Sequence, residues 1–265
     1  MILTLVGTGN MSKALALGLN NNYELEIVGR TLQKAESFIK ENNLTAKPFA
    51  LEQLDISDKN ILFCVKPYAL EPVAKEFQGT ARTLFSILAG SSIESLHQHI
   101  RANHIVRAMP NVAASNQASM TTLTGDENLK EQALEIFEAI GDTLWLDSEK
   151  ALDIATGLAG SGPAYLCLVA EALADGAVRQ GLKREDATKL TSGLFTGFAT
   201  LLKQEHPAII KDSVMSPGGT TAAGYGALEA KRQGSWSLTS HNTLLHIINP
   251  SLGVTRATSE QGRIP

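Results

Sequence analysis

The sequence has little cysteine, few aromatic residues and no excess of positive charge. Cys64 and Cys167 are the only cysteines among 265 residues, and aromatic residues make up 5%. Both cysteines stand in apolar segments, which predicts reduced core residues and excludes the disulfide-stabilised class of small domains. The 43% of hydrophobic residues is enough to build an aliphatic core.

Long hydrophobic runs are also missing, and so is a basic surface. Lys and Arg number 23 against 27 Asp and Glu, so the net charge of -4 gives no electrostatic reason to expect a nucleic-acid partner. The most apolar stretch, 159–174, contains Gly-Ser-Gly-Pro and Glu171, whereas a membrane span needs about 20 apolar residues. The N-terminal Met-Ile-Leu-Thr-Leu-Val lacks the basic region of a signal peptide. We therefore expect a cytoplasmic protein that binds neither nucleic acid nor membrane.

Short apolar runs alternate with helical patterns over the first 147 residues. The predicted strands are 2–6, 24–28, 61–65, 83–88, 105–108 and 143–146. Helical spacing of apolar residues is found in 10–19, 31–42 and 127–140. Strands that alternate with helices indicate right-handed βαβ units and a mostly parallel sheet. The fold class predicted is α/β, with an N-terminal Rossmann-type domain.

The pattern changes after about residue 147, where no convincing strand follows. Long alanine- and leucine-rich helices are predicted at 164–180, 185–204 and 219–230. Few charges interrupt them, so each is expected to bury more than one face, as in the core of a dimer. We expect a dinucleotide-binding domain over 1–150 and a helical dimerisation and substrate domain over 151–265, with an atypical tail after about residue 233.

A glycine-rich segment connects the first predicted strand to the first helix. It consists of Gly7, Thr8, Gly9, Asn10 and Met11, and Ser12 follows at the third small-residue position of a dinucleotide fingerprint. Amide groups at the start of a helix favour phosphate. A lone Gly-x-Gly also occurs in plain turns, but its place in a βαβ unit predicts cofactor binding for this segment.

The end of the second strand bears on which dinucleotide is bound. Enzymes that use NAD usually place an acidic residue there, whereas this sequence has Arg30, Thr31 and Lys34. A planar guanidinium, a hydroxyl and an ammonium group suit a 2′-phosphate. We expect NADPH, with NADH possible; the alternative is that Arg30 and Lys34 are solvated residues at a helix start.

Five motifs in order resemble those of the pyrroline-5-carboxylate reductase family. They are Gly7-Thr8-Gly9-Asn10-Met11, Val65-Lys66-Pro67, Arg107-Ala108-Met109-Pro110-Asn111, Gly160-Ser161-Gly162-Pro163-Ala164-Tyr165 and Ser216-Pro217-Gly218-Gly219-Thr220-Thr221. The first is shared by many reductases, and the last is specific to this family. The resemblance extends from residue 2 to about residue 230.

The resemblance implies reduction of Δ1-pyrroline-5-carboxylate to L-proline, the last step of proline biosynthesis, by a homodimer or larger homo-oligomer. It also implies that the nicotinamide half of the cofactor lies against Val65, Lys66, Pro67, Ala89, Gly90 and Asn111. The substrate would be held by Ser216, Gly218, Gly219, Thr220 and Thr221, with Thr221 in the catalytic role.

The Ser216–Thr221 motif favours this function on physical grounds as well. A helix N-terminus with unpaired amides is a natural carboxylate site, and two glycines leave room for a small ring. The Thr221 hydroxyl can hydrogen-bond the ring nitrogen because it both donates and accepts. The alternative is that Ser216 and Pro217 only cap a helix.

Two other functions fit the same sequence features, and several residues depart from the pattern of the family. A different NADPH-dependent reductase, or a sensor that binds NADPH without turnover, has a similar layout. His97, His99 and His104 lack metal-ligand spacing, so no metal site is expected. Met215 and Tyr225 replace residues that are usually small and aliphatic, respectively. The tail from about Gln233 shows no helical period.

Overall fold

A computed structural model describes residues 1–231, so the predicted atypical tail lies outside the described residues. Within them the chain forms two compact units, the first ending at Pro163 and the second beginning at Ala164. The boundary predicted at about residue 150 separates a cofactor-binding domain from a dimerisation and substrate domain. This functional division stays a prediction.

The first unit is built on an eight-stranded sheet. The strands are β1 (Ile2–Val6), β2 (Glu24–Gly29), β3 (Ala46–Ala50), β5 (Asn60–Phe63), β7 (Ala81–Ser86), β8 (Ala102–Met109), β9 (Ser119–Gly125) and β10 (Gly141–Trp145), and β4 (Leu54–Asp55) and β6 (Phe77–Gln78) form a separate pair. The order is β10-β9-β8-β7-β5-β1-β2-β3, and all neighbours are parallel except β8 and β9. This arrangement confirms the predicted α/β class with a mostly parallel sheet.

Helices cover both faces of the sheet and close two apolar cores. They are α1 (Asn10–Leu19), α2 (Leu32–Glu41), α3 (Leu70–Ala74), α4 (Ile93–His99), α5 (Lys130–Glu138) and α6 (Glu149–Ala155). Leu5 and Ile27 are buried in the core on one face, and Ile61 and Phe63 in the core on the other. Burial on both faces is why these strands are continuous apolar runs in the sequence.

Sequence reasoning did not identify two strands of this sheet. β3 contains Pro48, which is tolerated because β3 is an edge strand. β9 is rich in threonine and runs antiparallel to β8, so it departs from the βαβ rhythm of the preceding elements. His97 and His99 lie on α4, and His104 lies on β8 and contacts Asp126.

The described residues of the second unit form helices joined by short turns, without a strand. It contains α7 (Gly162–Arg179, from Ala164 onward), α8 (Arg184–Leu202), α9 (Pro207–Val214) and α10 (Thr220–Lys231). The predicted helices are confirmed, and α9 is an addition.

The long helices of this unit bury little of their apolar surface within one chain. Leu168, Leu190 and Leu228 are 68%, 62% and 70% exposed, respectively. The prediction that Cys167 is a core residue is wrong for the single chain: Cys64 is buried, but Cys167 is exposed on α7. Its apolar surroundings in the sequence belong to a helix surface that the chain itself does not cover.

One continuous helical stretch, Glu149–Arg179, is long and apolar enough to cross a membrane by length and composition alone. Only 11% of its most apolar window is buried within the chain. Length and composition do not distinguish a membrane span from a helix that packs against another protein.

Candidate functional site

A groove of about 650 Å³ lies at the carboxyl edge of the sheet in the first unit. From β1 the chain proceeds to β2 on one side, whereas β5 lies on the other side of β1. Ligands of open α/β sheets bind at such a point, where the strand order reverses. Eleven predicted cofactor residues line the groove: Gly7, Thr8, Gly9, Asn10, Met11, Arg30, Lys34, Val65, Lys66, Pro67 and Ala89.

The turn after β1 brings the backbone of Gly7 close to the carbonyl of Cys64, the residue that follows β5. Gly7 has φ +119°, and a Cβ there would lie 2.8 Å from the Cys64 carbonyl oxygen, so only glycine fits. The Gly7 amide donates to the Val28 carbonyl at 3.0 Å. The turn is thus tied to the strands on both sides of β1.

Gly9 leaves the start of α1 open. A Cβ at Gly9 would meet nothing within 4 Å, and Gly9, the N-cap residue of α1, has no side chain that could cap the first amides of the helix. Ser12 is buried and donates to the Cys64 carbonyl at 3.4 Å, so its small side chain lets α1 pack closely. Free helix-start amides beside open space fit the pyrophosphate of a dinucleotide.

The end of β2 presents positive charge to the groove. Arg30 and Lys34 line it and are exposed, and the described residues of its lining include no Asp or Glu. Thr31 lies outside that lining and caps α2, because its hydroxyl accepts from the Lys34 amide at 3.3 Å. The arrangement favours a phosphorylated ribose over a free 2′-hydroxyl.

The remaining cofactor candidates leave the sheet at the same edge. Gly90 has φ +68° and follows Ala89. Asn111 follows β8, but its side chain bonds to the protein backbone and lies outside the described lining of the groove. The structure therefore brings Ala89 into the groove and leaves the direct contact predicted for Asn111 without support from its geometry.

The groove also contains residues that sequence reasoning missed. They include Leu51, Tyr68 and Val73, which provide apolar and aromatic surface in the lining. Tyr68 directly follows Lys66-Pro67, so its position after a strand end was the available signal. Burial raises the pKa of the Cys64 thiol far above its ordinary value, so this groove residue stays protonated and is not a nucleophile.

The predicted substrate residues lie in the second unit. Gly218 has φ +71°, and the Gly219 amide donates to the Ser216 carbonyl at 3.0 Å, so the segment turns tightly into α10. The bond from the Ala223 amide to the Gly219 carbonyl belongs to the first turn of α10, and helix geometry leaves the preceding amides directed out of the N-terminus. Thr220 and Thr221 are exposed at this end. Unpaired amides at a helix start favour a carboxylate, and the substrate role of this loop stays a prediction.

No group of three or more His, Cys, Asp or Glu side chains among residues 1–231 is arranged to hold a metal ion.

Two family models match the chain. Residues 149–237 match the model for pyrroline-5-carboxylate reductase dimerisation. Residues 2–90 match the model for NADP oxidoreductase, coenzyme F420-dependent. The second match covers all of the described lining of the groove.

Curated relatives and solved structures have similar lengths and folds. The pyrroline-5-carboxylate reductase of Helicobacter pylori strain J99 is 34% identical over 87% of this chain and 92% of its own. That of Synechocystis is 37% identical over 86% and 89%. The 1-pyrroline-5-carboxylate reductase of Streptococcus pyogenes has a TM-score of 0.81 at 28% identity, covering 96% of this chain and 99% of its own. A Plasmodium falciparum pyrroline carboxylate reductase with NADP bound has a TM-score of 0.78 at 27% identity, with the same coverage.

Proposed function

The chain belongs to the pyrroline-5-carboxylate reductase family, and on this premise we propose how its own residues reduce Δ1-pyrroline-5-carboxylate to L-proline with NADPH. It is an oxidoreductase, and identity to curated reductases over almost the whole chain carries the conclusion. Residues 149–237 match the dimerisation model of the family, and residues 2–90 match a model for NADP oxidoreductases.

The groove at the carboxyl edge of the sheet fits NADPH. We assign the pyrophosphate to Gly7, Thr8, Gly9, Asn10 and Met11, since free amides and open space meet there. Arg30 and Lys34 hold the 2′-phosphate as a planar fork and a point charge, and the Thr31 hydroxyl can donate a third hydrogen bond.

Bound NADPH supplies a hydride to the carbon of the imine. The protein's task is to orient a small ring and exclude water, because a protonated imine is already electrophilic. We propose that Val65, Lys66, Pro67 and Ala89, which line the groove after β5 and β7, lie against the nicotinamide half of the cofactor. Gly90, which follows Ala89, is proposed to lie there as well.

We propose that the loop before α10 holds the substrate. The unpaired amides of the helix start take the carboxylate, and Ser216, Gly218, Gly219 and Thr220 shape the space for the ring. The Thr221 hydroxyl bonds the ring nitrogen and is the catalytic contact.

The proposal is tested by following nicotinamide absorbance with purified protein, pyrroline-5-carboxylate and either NADPH or NADH. We expect substrate-dependent oxidation that is faster with NADPH. Binding of NADPH without oxidation would contradict the proposal and favour a sensor; a faster reaction with a 2-oxo acid would indicate a different reductase.

Replacing Arg30 with alanine is expected to weaken NADPH much more than NADH. Loss of a charge-assisted bond of about 1.5–3 kcal/mol corresponds to about a 10–100-fold rise in KM for NADPH. Arg82→Ala, an exposed arginine on β7, is the matched control and should leave both KM values unchanged. Equal losses with both cofactors in Arg30→Ala would refute the 2′-phosphate contact.

Replacing Thr221 with alanine should lower kcat by about 10–100-fold, since one hydrogen bond to a charged group is lost. The dissociation constant for NADPH, followed by nicotinamide fluorescence, should stay unchanged. Thr221→Ser keeps the hydroxyl and should recover most of the turnover. If serine and alanine behave alike, the hydroxyl has no part in catalysis.

We propose that a second copy of the chain covers the apolar helices of the second unit. A second copy accounts for the exposed leucines of α7 and α8 and for the match of residues 149–237 to a dimerisation model. The proposal therefore includes neither a membrane nor a nucleic acid as a partner. A homodimer in the cytoplasm suits a biosynthetic reductase.

Light scattering after gel filtration tests this assembly. We expect a mass of at least twice 28.3 kDa, and a shift towards one chain in Leu194→Glu on α8, where a buried charge would oppose association. Leu144→Glu on β10 of the first unit is the control and should keep the parental mass. A fully active protein with the mass of one chain would contradict the proposal.

A further inference from the structure

Asn111 uses its whole side chain to fasten backbone rather than to face the groove. It is 8% exposed. Its Nδ2 donates to the Ala159 carbonyl at 3.0 Å, and its Oδ1 accepts from the Ala113 amide at 3.0 Å. The acceptor bond stays within the turn after β8, and the donor bond ties that turn to a segment 48 residues further along the chain.

The segment that Asn111 reaches is a π-helical turn, Thr156–Gly160. The Ser161 amide donates to the Thr156 carbonyl at 3.1 Å, five residues back. π-helical turns interrupt the regular hydrogen bonding of an α-helix. They are rare, and those that occur are often found at functional sites. The amide of Asn111 supplies a hydrogen-bond donor to Ala159 within this turn.

A second residue of the same motif holds the preceding helix. The Arg107 side chain is 2% exposed, and its two terminal nitrogens lie 2.8 Å from Glu149 Oε1 and 2.8 Å from Asp153 Oδ1 on α6. We call Arg107 and Asn111 the clamp. It joins Glu149, Asp153 and Ala159 to the end of β8 by three bonds.

The clamp explains a mismatch between two boundaries. The dimerisation model begins at residue 149, whereas the first compact unit continues to Pro163. Residues 149–163 therefore belong to the dimerisation segment by sequence and to the cofactor-binding unit by structure.

Two exposed apolar side chains neighbour the bond from Asn111 to Ala159. β7 and β8 are parallel neighbours with Ser86 opposite Arg107, so Ala89 and Asn111 leave the sheet at one edge. Val112 and Leu158 flank Asn111 and Ala159 in sequence and are 57% and 67% exposed.

We propose that Asn111 is a positioning residue for the reaction and not a ligand of the cofactor. Through its bond to Ala159 it holds the π-helical turn, and with it Leu158 and Val112 as an apolar wall at the nicotinamide end. This inference rests on the proposed function for the identity of the reaction, but the hydrogen bond itself is testable without turnover.

Asn111→Asp isolates the bond to Ala159, because it keeps the acceptor for Ala113 and replaces the donor with a negative oxygen. Asn116→Asp makes the same change at an exposed position of the same turn and is the control. At a temperature well below unfolding, we expect kcat to fall by about 10–100-fold, as misplacement of a remote group can do. KM and the dissociation constant for NADPH should stay within about twofold of wild type, since the cofactor loses no direct contact.

Hydrogen exchange of the amides in 157–163 gives the readout that is independent of activity. We expect them to exchange at least about tenfold faster in Asn111→Asp than in wild type or Asn116→Asp. If Asn111→Asp fails to fold, Asn111→Ala, which removes both side-chain bonds without adding charge, should show the same split between kcat and NADPH affinity.

Several results would overturn the inference. A tenfold loss of NADPH affinity would make Asn111 a direct ligand, and unchanged kcat or unchanged exchange would remove its positioning role. A wild-type protein without pyrroline-5-carboxylate turnover would instead refute the proposed function, and the exchange rates would still decide whether Asn111 holds the π-helical turn.

Discussion

The contact of the Gly7 backbone with the carbonyl of Cys64 is the constraint on which the groove depends. It fixes the first turn against the end of β5 at the point where the strand order reverses. From there α1 begins with free amides, and Arg30 and Lys66 reach the groove from the neighbouring strand ends. A side chain at Gly7 would separate these elements, so one residue without a Cβ determines the geometry of the whole phosphate site.

The sequence predicts the fold best where local pattern and tertiary role agree. β1 is bounded as predicted, because a strand buried on both faces is an uninterrupted apolar run. β3 and β9 were missed because Pro48 and a row of threonines contradict that pattern, and only the positions of these strands in the sheet make them acceptable. The groove residues were predicted for the same reason, because glycines and charged residues at the ends of strands can be recognised in the sequence.

The role of Asn111 was beyond prediction from sequence for a physical reason. Its motif marks a turn after a strand, but its partner is a carbonyl 48 residues away in a π-helical turn. A free carbonyl leaves no signature in the amino-acid sequence, since every residue has one. The same applies to Arg107, whose partners Glu149 and Asp153 are ordinary acidic residues at the start of a helix.

The uncovered leucines of the helical unit have a consequence for how the protein is made. The first unit has its own core, and all of its strands precede residue 146, so it can be complete while the apolar helices are still leaving the ribosome. In the proposed dimer, the helices present apolar surface until a second chain covers them, and a helical unit stabilised by association gains stability as the protein concentration rises. Synthesis of neighbouring chains on one messenger RNA would shorten this vulnerable interval.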